Sequence, residues 1–230
     1  MSASRTSSLP EVGRLKAVLW DMDGTLVDTE PSWIAAEYRL VESFGGTWSD
    51  EHAHALVGNA LPVSAAYIRE HGGVNLPLDD IVQRLLIEVV ADARVHTSWR
   101  PGVQRLLAEL VQAGVPCAMV TMSYQSLAYA IADQLPAGTF SAVVTGDQVS
   151  HGKPDPEAYL RAAELLGVEP GACVAIEDSP TGVASAEAAG CTVIAVPNQV
   201  PIPPAPTRTI ITDLSSVTVA DLAALIAPTF

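Results

Sequence analysis

Five short runs of β-branched and small apolar residues punctuate the chain: AVLW at 17–20, VPCAMV at 115–120, SAVVT at 141–145, ACVAI at 172–176 and CTVIAV at 191–196. Between them lie helical patterns such as 101–113, 156–166 and 181–189. Pro101 and Pro156 stand where such helices begin, and Gly114, Gly167 and Gly190 where they end, the positions that suit a fixed φ and a left-handed φ respectively. Strands alternating with helices predict an α/β fold with a doubly wound parallel sheet, a Rossmann-like core.

One segment breaks this rhythm. From about residue 30 to 98 no strand pattern occurs, only helical ones, such as Ile81, Val82, Leu85, Leu86, Val89 and Val90 on one face. This predicts an all-helical cap over 30–97 inserted into a core made of 15–29 and 98–230. The flanks, DTEP at 28–31 and HTSWRPG at 96–102, hold the turn residues expected of a two-strand hinge. The segment PNQVPIPPAPT at 197–207 carries five prolines and reads as a stiff loop.

With 49% apolar residues in 230, the chain can bury one main core with a smaller insert beside it. A formal net charge of -14 argues against a general nucleic-acid or anionic-membrane surface, so any phosphate must be held locally. Cys117, Cys173 and Cys191 lie in apolar runs and share no metal-binding spacing, which suits buried, reduced thiols in the cytoplasm. Residues 1–14 lack the apolar block of a secretory signal and read as a flexible N-terminal tail. No run approaches the roughly 20 apolar residues of a membrane helix, so a soluble, cytoplasmic protein is expected. Oligomeric state leaves no trace in the sequence.

The functional signal lies at the strand ends. Asp21 and Asp23 follow AVLW, and residues two apart on a strand share a face. At about 5 Å and an effective dielectric near 20, two carboxylates repel by roughly 3 kcal/mol. Either a cation sits between them or one holds a proton. Thr121 follows the second strand, Glu177 and Asp178 follow the fourth, and HGKPDPE supplies Lys153, one of two lysines in the chain. Each has a structural reading alone: Asp23-Gly24 as a turn, Thr121 as a β-former, Lys153 as a solvated side chain, Asp178 as a helix cap. Together they meet at the carboxyl edge of a parallel sheet, where α/β proteins bind ligands.

The motifs DMDGT, Thr121, GKP and ED, in this order and with a helical insert after the first, resemble the haloacid dehalogenase superfamily. Within it, DMDGTLVDTEPSW and the place of the insert look like the small helical-cap subgroup, which contains sugar-phosphate phosphatases and β-phosphoglucomutase. The resemblance covers residues 16 to about 196. It implies Asp21 as a nucleophile that forms an aspartyl-phosphate and Asp23 as the general acid/base, a division that fits a shared proton. It further implies Mg²⁺ held by Asp21, the Asp23 backbone carbonyl and Asp178, with Glu177 in support, an all-oxygen set suited to that ion. Thr121 and the amides of Met122 and Ser123, at a helix start, would hold phosphate oxygens. Lys153 would offset charge on Asp21 and the phosphoryl group.

Other signals are weaker. GDQVSHGKP fails as a nucleotide P-loop, because five residues separate Gly146 from Gly152 and Pro154 stands where Ser or Thr should be. His52 and His54, two apart on a helix, face different ways and read as surface histidines, and His151 as a loop residue. Trp33 and Tyr38 read as cap packing; Thr29, Trp33, Gly58 and Asn59 are weak candidates for substrate contact. Dehalogenases of the resembling family lack the second acid, and the phosphonate-cleaving members use a cap lysine that 30–98 lacks. β-Phosphoglucomutase has a cap histidine aligned with Trp33 and cationic residues near Val57 and Leu61. The expectation is therefore a Mg²⁺-dependent phosphatase of a small phosphorylated metabolite, a sugar or polyol phosphate. A phosphosugar mutase is the alternative, and a non-catalytic phospho-switch or protein-binding module the reading from a different class.

Overall fold

The structure, a computed structural model, describes residues 14–56 and 59–226. Its sheet contains β1 (Ala17–Trp20), β2 (Cys117–Val120), β3 (Ala142–Val144), β4 (Cys173–Glu177), β5 (Thr192–Ala195) and β6 (Arg208–Ile210), all parallel, in the order β3-β2-β1-β4-β5-β6. β1 is central, with Trp20 level with Met119 on one side and Ile176 on the other. The next residue along each strand therefore reaches the carboxyl edge together with its neighbours.

Every position of β1, β2 and β4 is buried, because helices cover both faces, and this is why the runs read as continuous apolar stretches. Alternate residues feed two separate cores. Val18, Trp20, Met119, Val174 and Ile176 face one side, with Leu106, Leu107 and Leu110 from α5 (Val103–Gln112) and Leu127 and Ile131 from α6 (Gln125–Ala132). Ala17, Leu19, Ala118, Val120 and Ala175 face the other, with Tyr159 and Ala162 from α7 (Glu157–Leu166) and Val183 and Ala186 from α8 (Pro180–Ala188).

Between β1 and α5 the described chain holds four helices, α1 (Glu30–Ser43), α2 (Asp50–His54), α3 (Leu61–His71) and α4 (Leu78–Ala93). α4 buries Ile81, Val82, Leu85, Leu86 and Val89 against α1 and α3, the face read from the sequence, and also touches α6 of the core. Gln134 Nε2 adds a hydrogen bond to Ala93 O at 2.9 Å. The insert joins the core through a short antiparallel pairing in which Asp28 N–H donates to Ser98 O and Arg100 N–H to Leu26 O, both at 2.9 Å.

Five strands were expected, and the described residues hold six. β6 is three residues long, lies at the sheet edge and has two exposed positions, so it carries no apolar run to be recognised. Its Arg208 instead reaches α8, where its guanidinium meets Glu187 at 2.5 Å and 2.8 Å. A further helix, α9 (Val219–Leu225), follows a Thr218 capping box. The three cysteines are free and buried. The expected tail over 1–14 lies outside the described residues except for Arg14. Among the described residues, no helix is long and apolar enough to cross a membrane.

Candidate active site

The carboxyl edge is built around one buried lysine. Lys153 Nζ donates to Asp21 Oδ1 at 2.7 Å, to Glu177 Oε1 at 2.6 Å and to Val120 O at 3.0 Å, which together use all three ammonium hydrogens. Both carboxylates and the lysine are almost wholly withdrawn from solvent. Burial alone would lower the lysine pKa, but the two carboxylates outweigh it and hold the group charged. The repulsion at Asp21 is thus met by a cation.

The loop that delivers Lys153 is closed by Glu157, whose carboxylate accepts the Ser150 and His151 amides at 2.7 Å and 2.8 Å and meets His151 Nδ1 at 3.0 Å. His151, Asp155 and Glu157 come close enough to hold an ion, yet Asp155 Oδ1 also accepts a backbone hydrogen, from Glu157 N. These groups close a loop.

After β1 the chain turns at the Asp23-Gly24 pair. The Leu26 and Val27 amides donate to Met22 O and the Gly24 amide to Val27 O. Gly24 adopts φ +87°, and a Cβ there would stand 2.0 Å from Asp178 Oδ2. The turn therefore brings Asp178 against the backbone beside Asp23. Asp23 is held from three directions: Thr29 Oγ1 donates to Oδ1 at 2.5 Å, while Thr121 Oγ1 and Ser123 Oγ donate to Oδ2 at 3.1 Å and 2.8 Å. Thr29, at the start of α1, ties the insert to this acid.

Asp178 does not cap α8. That role falls to Ser179, whose Oγ accepts the Gly182 amide at 3.1 Å. Glu177 takes three donors instead: Oε1 receives Lys153 and the Tyr159 hydroxyl at 2.7 Å, and Oε2 receives Ser179 Oγ at 3.2 Å. Gly182 packs so closely on this carboxylate that a Cβ would overlap it.

Asp21, Glu177 and Asp178 can bring carboxylate oxygens within 4.8 Å of one another. Burial, then the charges of Asp21 and Glu177, push the pKa of Asp178 up, and burial followed by Glu177 raises Asp21 against the pull of Lys153. Asp21 Oδ2 is buried without a hydrogen-bond partner. An orphaned oxygen among crowded carboxylates is a site short of positive charge, and oxygen donors of this kind suit a hard divalent cation. Asp21 and Asp178 have oxygens to offer it; Glu177 is committed to its donors.

Other sequence-based candidates fall less neatly. Met122 and Ser123 precede α6, whose first amide, Gln125 N–H, donates to Asp147 Oδ1. The Ser123 amide donates to Thr121 Oγ1 at 2.9 Å rather than standing free, and Met122 Sδ accepts the Lys153 amide at 3.3 Å. Trp33 and Tyr38 pack against the larger core, with Tyr38 OH on Asp50. Asn59 Nδ2 bonds Ala55 O at an exposed turn, and Gly58 lies outside the described residues. His54 is exposed, but His52 stacks on Trp48 at 4.8 Å. The Ser123 hydroxyl, Tyr159 and Ser179 went unnoticed in the sequence. A tyrosine at a helical position flanked by buried alanines was the available clue, since a buried phenol needs an acceptor.

A doubly wound sheet with a lysine-bridged carboxylate group at its carboxyl edge and a helical insert after the first strand defines the α/β architecture of a hydrolase. The chain belongs to the haloacid dehalogenase-like hydrolases, whose family model matches residues 15–190. It is 37% identical over 191 residues to hexitol phosphatase A of Escherichia coli, covering 80% of this chain and 83% of that one. It is 32% identical to the phosphorylated carbohydrates phosphatase of Thermotoga maritima, covering 76% and 82%. Among solved structures, CbbY of Rhodobacter sphaeroides in complex with xylulose-(1,5)bisphosphate superposes with TM-score 0.82 at 27% identity, covering 90% of this chain and 99% of that one.

Proposed function

We propose that the protein is a Mg²⁺-dependent phosphatase acting on a small phosphomonoester, a sugar or polyol phosphate, through an aspartyl-phosphate on Asp21. The supporting observation is the state of Asp21: Oδ1 is fixed by Lys153 while Oδ2 is buried without a donor. A nucleophile needs a lone pair uncommitted to hydrogen bonds and a cation to offset the charge gathered at the reacting phosphorus.

In the first half-reaction Asp21 forms the oxygen–phosphorus bond as the bond to the leaving alcohol oxygen breaks, and Asp23 gives that oxygen its proton. Thr29, Thr121 and Ser123 fix the Asp23 carboxyl for this transfer. In the second, Asp23 takes a proton from water as the water attacks phosphorus, and Asp21 is released. Lys153 holds Asp21 in place and offsets phosphoryl charge throughout. Asp21, the Asp23 carbonyl and Asp178 would hold Mg²⁺, which when bound polarises the phosphoryl oxygens. Thr121 and the Met122 amide would hold those oxygens.

The similarity to named carbohydrate and hexitol phosphatases supports a sugar-type substrate. Purified protein should release phosphate from a monoester panel with Mg²⁺ and stop when the ion is chelated. Failure on a broad panel, with bisphosphate-primed sugar isomerisation instead, would make it a mutase.

A further inference from the structure

The charge around the site is one-sided. Lys153 is the cation that bears on Asp21 and Asp178, and it is already shared between Asp21 and Glu177. Glu30, the first residue of α1, follows the Thr29 that bonds Asp23. Its charged neighbours include Asp23, Asp28 and Glu37, and burial followed by the charges of Asp23 and Asp28 pushes its carboxyl up to about 7. Among the described residues no hydrogen-bond donor pairs with it. Nearby Asp28 Oδ1 is buried without a partner as well. Three cationic side chains of the insert are engaged away from Glu30: Arg39 with Glu88, Arg84 over the Phe44 ring at 5.8 Å, and His96 with Asp92 at 3.7 Å. The fold alone does not exclude a second anion, since a relative of the same architecture holds a bisphosphate.

Resting on the phosphatase reading, we infer that Glu30 is a specificity-determining residue that selects phosphomonoesters with an uncharged polyol or sugar leaving group, accepting one of its hydroxyl hydrogens and repelling a leaving group that bears a carboxylate or second phosphate. An unpaired carboxylate is an acceptor with up to four lone-pair sites, so a hydroxyl satisfies it and an anion cannot. At about 6 Å and an effective dielectric near 20, a second negative charge facing Glu30 loses about a hundredfold in binding.

Sorbitol 6-phosphate and 6-phosphogluconate make the test, because they differ at the far carbon as alcohol and carboxylate. With Mg²⁺ at pH 8, kcat/KM should favour sorbitol 6-phosphate by about tenfold or more. Glu30→Gln, which keeps the shape and removes the charge, should narrow that ratio about tenfold through faster turnover of 6-phosphogluconate. Glu30→Lys should narrow it further, with melting temperatures confirming that both variants fold. Equal kcat/KM for the two in the native protein, or a ratio unchanged in both variants, would overturn the inference. p-Nitrophenyl phosphate separates the two levels: its hydrolysis without discrimination between the matched pair removes the selectivity and leaves the phosphatase. No hydrolysis of any of the three removes both.

Discussion

Lys153 Nζ stands 2.6 Å from Glu177 Oε1, and neither side chain reaches solvent to any useful extent. The same ammonium holds Asp21, so two buried carboxylates depend on one cation. Removing one partner of such a group leaves uncompensated charge at low dielectric. Lys153→Met should therefore lower stability by about 3 kcal/mol in urea unfolding and eliminate phosphate release. Adding Glu177→Leu to it should recover part of the stability and none of the activity.

Asp21→Asn should reduce kcat by about 10⁴-fold or more, measured as phosphate release, because an amide oxygen is a poor nucleophile. The fold should survive, since Lys153 keeps Glu177 and Val120 O as partners. Acid-quenched native protein mixed with substrate should carry phosphate on the peptide containing residue 21, and the variant should carry none.

Gly24→Ala tests how Asp178, the carboxylate proposed to hold the metal, is placed. A Cβ there would meet Asp178 Oδ2 at 2.0 Å, on a backbone at φ +87°. The variant should lose about 1–2 kcal/mol of stability from backbone strain. It should also need more Mg²⁺ for half-maximal rate than the native protein, as should Asp178→Asn. An unchanged Mg²⁺ requirement in both would remove Asp178 from the metal site.

Glu37 predicts a pH dependence inside the insert. Burial pushes its carboxyl up to about 7, against the hydrogen bond from Trp48 Nε1 at 3.2 Å and with some help from Glu30. The folded protein then keeps a proton that the unfolded chain releases near pH 4.5. Its contribution to stability is complete below pH 4.5 and declines as the pH rises towards 7, by on the order of 2 kcal/mol. Glu37→Gln should flatten that decline in denaturation curves taken between pH 5 and 8.

The parts of this molecule that were legible in the sequence are those governed by short-range pattern. Continuous apolar runs announced β1, β2 and β4 because those strands are buried on both faces. The spacing from Ile81 to Val89 announced α4. β6 was invisible because an exposed three-residue edge strand needs no apolar pattern. At the site, residue type and strand-end position were enough to bring Asp21, Thr121, Lys153, Glu177 and Asp178 into one list. Partner choice was not, since it depends on tertiary distance. Lys153 was expected to offset charge on Asp21 and does so by direct contact, but the three hydroxyls on Asp23 and the sharing of Lys153 with Glu177 left no pattern in the sequence. The structural reading of Asp178 as a helix cap is excluded by Ser179, which caps α8.

The paired segments around Asp28 and Ser98 have a consequence for how such a protein can diversify. Entry and exit of the helical segment are hydrogen-bonded side by side, so a longer, shorter or wholly different segment could be spliced between them without shifting a strand. Reaction chemistry and the choice of molecule admitted to it can then be inherited separately, each free to change while the other stays fixed.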